Sequence, residues 1–67
     1  METERWGRRI RAFRKLKGYT QAGLAKELGI SLSRLGEIER ERREPTEEFI
    51  RQVADKLGVS VEEMEKL

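Results

Sequence analysis

Residues 19–39 read YTQAGLAKELGISLSRLGEIE, and the side chains along that stretch suit two short helices joined by a glycine turn. The positions that decide it are Gln21, Ala25, Gly29, Leu35 and Ile38. With Gln21 opening a helix, Ala25 falls one turn on, where a small side chain lets a second helix cross steeply and close by. Gly29 follows one turn later and can take the left-handed conformation that ends a helix without a Cβ clash. Thr20 and Ser31 stand at N-cap positions, each offering a hydroxyl to the unpaired amides of a first turn. Leu24, Ala25 and Leu28 then share one apolar face, and Leu35 and Ile38 another. The pattern predicts helices from about Gln21 to Leu28 and from about Leu32 to Arg40, the second with almost nothing bulky on its outward face.

Upstream, Trp6, Ile10, Phe13 and Leu16 form one stripe of a helix expected from about Thr3 to Lys17, which Gly18 ends. Downstream, Pro45 breaks the chain, and Thr46 caps a fourth helix whose first turn carries Glu47 and Glu48, well placed for the helix dipole. Its apolar face is Phe49, Ile50, Val53, Ala54 and Leu57, and Gly58 stops it. Ser60 and Glu63 make a capping box for a short fifth helix carrying Val61, Met64 and Leu67. The expectation is an all-α, five-helix domain spanning residues 1–67, with no strands and no internal repeat. The first and fourth helices should wrap the central pair into one core.

Composition fits a compact intracellular module and argues against most catalytic readings. A chain of 67 residues is one domain, able to bury only about 60% of its unfolded surface. Without cysteine there is no disulfide or thiolate zinc, and without histidine the usual triads and imidazole metal sites are absent. Asp55 is the only aspartate, so no calcium-loop spacing exists. No metal, cofactor, small-molecule substrate or enzymatic activity is expected. No apolar run reaches membrane length and no signal peptide is visible, so the expected location is cytoplasmic.

The net charge of +2 hides a lopsided distribution. Residues 1–18 carry seven basic and two acidic side chains, residues 19–43 five and four, and residues 44–67 three and seven. A basic front suits phosphates, and an acidic rear limits nonspecific adhesion and can meet another protein.

Three stretches, IRAFRKLKGYTQAGLAKELGIS, LGEIERERREPT and FIRQVADKLGVSVEEM, cover nearly the whole chain. Together they resemble the Cro/repressor-type helix-turn-helix domains of the xenobiotic-response-element family, which occur in phage repressors, bacterial regulators and restriction-modification controllers. The resemblance implies a lambda-repressor-like fold and a bacterial, archaeal or phage-encoded, nucleoid-associated protein. It makes residues 31–40 the recognition helix, its N-terminal half in the major groove. Ser31, Leu32, Ser33, Arg34, Gly36 and Glu37 would lie on its outward or leading surface. Leu32 would suit a thymine methyl, Ser33 several base edges, Glu37 a cytosine amine, and Arg34 guanine or a phosphate. Gln21 matches a glutamine that commonly grips the DNA backbone at the start of the second helix, and Arg40, Arg42 and Arg43 would flank the groove. Arg14 and Glu39 match positions that form a largely buried ion pair in several members.

Three residues depart from the family pattern. Glu41 stands where a glycine usually follows the recognition helix; a left-handed turn there would cost a non-glycine residue roughly 1 kcal/mol. Gly36 lies mid-helix, either because DNA or a second subunit comes close or because the site is suboptimal. Gly23 replaces a frequent acidic residue and so removes a capping box from the second helix.

The implied function is a sequence-specific transcriptional regulator binding double-stranded DNA. It is expected to act as a homodimer on a palindromic operator with half-sites about 34 to 36 Å apart. The fifth helix, through Val61, Met64 and Leu67, is the candidate dimer surface unless those residues only close the core. The alternative is a protein-interaction module on the same fold, such as an antitoxin subunit or a coactivator-like adaptor using the acidic rear.

Overall fold

Caps and stops set the helix boundaries. In the computed structural model, which describes residues 5–66, the helices are α1 (Trp6–Leu16), α2 (Gln21–Leu28), α3 (Leu32–Glu39), α4 (Glu47–Leu57) and α5 (Val61–Glu65). Thr3 and Leu67 lie outside the described residues. Thr20, Ser31, Thr46 and Ser60 each accept a hydrogen bond from the backbone amide three residues on, and Ser60 and Glu63 complete a reciprocal capping box. Gln21–Leu28 therefore starts and stops where its caps dictate, and the neighbouring helices follow the same logic.

The first four helices end alike. Each closes with two backbone hydrogen bonds around a residue of positive φ: Gly18, Gly29, Glu41 and Gly58. At the end of α3, the Glu41 amide donates to the Ile38 carbonyl (3.0 Å) and the Arg42 amide to the Glu37 carbonyl (2.9 Å). Glu41 keeps the left-handed turn at φ 62°, without the glycine that makes this conformation easy.

The core is built from all five helices. Trp6, Ile10, Leu24, Leu35, Ile50, Val53 and Met64 are fully buried, with Ala25, Ile38, Ala54 and Leu57 beside them. Phe13, Leu28, Phe49 and Val61 are only half-buried at its margin. Among the described residues no helix is long and apolar enough to cross a membrane.

Two expectations fail here. Leu16, assigned to the buried stripe of α1, is 74% exposed, whereas Gly7 and Arg14 are buried. At 100° per residue, Gly7 and Arg14 lie roughly 80 to 100° to one side of Trp6 and Leu16 about 80° to the other. α3 packs on the Gly7 side, where the Ile38 carbonyl oxygen occupies the place a Cβ on residue 7 would need, so the buried arc is turned away from Leu16. The second concerns α5. Met64 is fully buried within its own chain and so cannot face a second subunit; it closes the core.

Candidate nucleic-acid interface

The reading surface begins with the two helix starts. Thr20 Oγ1 accepts from the Gly23 amide at 2.9 Å, and the first intrahelical bond of α2 runs from the Leu24 amide to the Thr20 carbonyl. The amides of Gln21 and Ala22 precede that bond and lie at the positive end of the helix, where an anion is favoured. α3 repeats the pattern: Ser31 Oγ accepts from the Arg34 amide at 3.1 Å, ahead of the bond from Leu35 to Ser31.

A buried polar network locks these helices together. Arg14 Nε donates to Glu39 Oε2 at 2.7 Å, Nη2 to Oε1 at 3.1 Å, and Nη1 to the Tyr19 carbonyl at 2.8 Å. The two side chains are only 9% and 2% exposed. Gln21 Nε2 adds a third donor to the Glu39 carboxylate, at Oε1 and 3.1 Å. The end of α1, the start of α2 and the end of α3 thus share one carboxylate, and no buried side-chain polar atom among the described residues lacks a partner. Nε2 carries two hydrogens, so Gln21 can bind Glu39 and still direct the other outward.

On α3 itself, Ser31, Leu32, Ser33 and Arg34 are exposed, while Leu35, Ile38 and Glu39 are buried. Leu32 is half exposed; among the described large apolar residues only Leu16 on α1 is likewise exposed. The second half of the helix differs from expectation. Gly36, expected on the outward surface, is buried because the Arg40 side chain runs back along the helix and covers it. A Cβ there would lie 3.2 Å from Arg40 Nη1 and 3.7 Å from Cζ. Glu37 is half-buried and accepts from Arg43 Nε at 3.2 Å. Arg42 is exposed beside them.

Four features escaped the reading from residue pattern: Gly7, the Tyr19 carbonyl, the bond from Gln21 to Glu39, and the partnership of Arg43 with Glu37. Gly7 resembles any helical glycine until α3 is placed against it. A backbone carbonyl has no side-chain signature, and a separation of six residues across a turn follows no helical spacing.

A helix start bearing free amides beside an exposed second helix, the two clamped by buried charges, is the architecture of a helix-turn-helix DNA-binding domain. The family model described as "Helix-turn-helix" matches residues 10–64. The chain belongs to the helix-turn-helix family of DNA-binding transcriptional regulators. It is 64% identical over 64 residues to the uncharacterized HTH-type transcriptional regulator YazB of Bacillus subtilis (strain 168), covering 96% of this chain and 93% of that one. It is 41% identical to the HTH-type transcriptional regulator SinR of the same organism, over 82% of this chain but only 50% of SinR. Among solved structures, the clp gene regulator ClgR of Corynebacterium glutamicum superimposes with a TM-score of 0.89 at 36% identity, covering 96% of this chain and 83% of that chain. SinR in complex with DNA gives 0.77 at 39% identity, covering 87% and 94%.

Proposed function

We propose that the protein reads the major groove of a specific operator with α3 and binds there as a homodimer. The observation that carries this reading is the division of α3 into an exposed leading edge, Ser31 to Arg34, and a buried side held by Glu39. Leu32 suits a thymine methyl, Ser33 and Ser31 suit base edges, and Arg34 reaches guanine or phosphate. Gln21, the amides at the start of α2, Arg40 and Arg42 suit the flanking phosphates, and these charge contacts supply most of the affinity. That SinR, a structural relative, was solved in complex with DNA supports DNA as the partner.

One recognition helix reads too few base pairs to select a site in a genome, hence the dimer. With Met64 buried, Val61 is the apolar residue of α5 left partly accessible for such a contact, flanked by the exposed Glu62, Glu63 and Glu65. The chain's +2 charge gives little general attraction, so binding must come from placed contacts. Titration of duplex DNA at several salt concentrations tests this: each neutralised phosphate adds about 0.9 to the slope of log K against log salt. Selection from random duplexes should return paired half-sites. An absence of duplex binding even in dilute buffer would remove the proposal in favour of a protein-binding module.

A further inference from the structure

The C-terminal half of α3 presents little of its own to a groove. Position 36 has no side chain, and position 37 carries an acid, which a phosphate backbone repels. The chain covers both places with guanidinium groups that arrive from beyond the helix end, Arg40 over Gly36 and Arg43 against Glu37. The Glu37–Arg43 contact uses Arg43 Nε at 3.2 Å, with the two side chains 44% and 54% exposed. An ion pair so open to water adds little to folding. Its consequence is directional. With Nε held by the carboxylate, the two terminal nitrogens of Arg43 remain available as a planar pair of donors beside the reading face.

We propose that Arg43 is a specificity-determining residue that reads guanine, and that Glu37 is the positioning residue that aims it. This rests on the major-groove docking proposed above. Guanine offers two acceptors, N7 and O6, on its major-groove edge, and a guanidinium fork matches them; no other base pairs two acceptors there. Glu37 then neither reads cytosine directly nor meets phosphate as a bare anion. Its charge is compensated by Arg43, and the pair binds as one unit. The operator is accordingly expected to hold a guanine under the C-terminal half of α3, in addition to the base pairs met by Ser31 to Arg34.

The test uses random-duplex selection followed by binding titrations on the selected site, on its single-guanine variant and on bulk DNA, for the parent chain, Arg43→Ala, Glu37→Gln and the double variant. In the parent, replacing the guanine lowers affinity roughly 5- to 150-fold. Arg43→Ala abolishes that discrimination. Glu37→Gln reduces it while strengthening bulk-DNA binding, since a negative charge is removed, and has no further effect on discrimination once Arg43 is absent. An unchanged melting temperature shows that neither substitution acts through folding. If Arg43→Ala weakens all sequences equally and lowers the salt slope by about 1, Arg43 is a phosphate contact and the proposal falls. If Glu37→Gln shifts the base preference equally with and without Arg43, Glu37 reads its base alone, which also overturns it. Failure to select any sequence would instead refute the docking of α3 itself.

Discussion

Replacing Glu39 by glutamine keeps the shape of the side chain and removes the charge that Arg14 faces. The Arg14 guanidinium, 2.7 Å from the carboxylate and almost fully enclosed, would then be a buried cation with a neutral partner. Losing one member of such a pair costs about 3 to 5 kcal/mol, because the remaining charge is neither hydrated nor compensated. A domain of 67 residues has a total stability of roughly 3 to 10 kcal/mol. Glu39→Gln should therefore consume most of it and leave a substantial unfolded fraction near 37 °C. Exchanging both partners, as Arg14→Met with Glu39→Leu, removes the two charges together and should cost less than either single change. The residual cost lies at the Tyr19 carbonyl, which loses a donor at 2.8 Å, and at Gln21 Nε2, which loses an acceptor at 3.1 Å; both bonds are part-buried, and water can replace the lost partners. Urea unfolding followed by circular dichroism of the parent, Arg14→Met, Glu39→Leu and the double variant gives the four stabilities of the cycle and the coupling energy, with Glu39→Gln measured beside them. Single variants within about 0.5 kcal/mol of the parent, with no coupling, would show that the network contributes nothing.

Glu41→Gly should relieve the left-handed strain at φ 62°; a gain of about 1 kcal/mol would raise the melting temperature by roughly 4 to 8 °C, and an unchanged or lower value would contradict the strain. Gly7→Ala places a methyl against the Ile38 carbonyl, so α1 and α3 must separate. A loss of about 1 to 3 kcal/mol or more is expected in urea, and a neutral result would mean the helices are not so close. Leu16→Lys, at an exposed position, should change stability by less than about 0.5 kcal/mol, while Met64→Ala, in the core, should cost about 2 to 5 kcal/mol; the reverse order would restore the discarded stripe of α1.

Local chemistry made most of the architecture legible. Thr20, Ser31, Thr46 and Ser60 act only on amides a few residues away, so their consequences could be derived without knowing what lies across the core. Gly18, Gly29 and Gly58 likewise end helices by their own backbone freedom. Leu16 shows where such reasoning stops. Hydrophobic spacing locates a stripe on α1, but the edge of the stripe depends on the side from which α3 approaches.

The candidate interface divides along the same line. The exposed run from Ser31 to Arg34 follows from helical periodicity once Leu35 and Ile38 are placed in the core. The covering of Gly36 by Arg40 and the grip of Glu37 on Arg43 depend on how the chain turns after α3. That turn is set by Glu41 in a conformation which the residue type alone would argue against.

Residue order by itself determined the five helices, their caps and the pairing of α2 with α3, because those rest on hydrogen bonds and periodicities that span a few residues. Only the tertiary structure decided that Gly7 must lack a side chain, that Met64 belongs to the core, and that Glu39 is shared by Arg14 and Gln21. The physical reason is distance along the chain. Each of those outcomes needs groups separated by many residues to meet, and only the packing of whole helices brings them together.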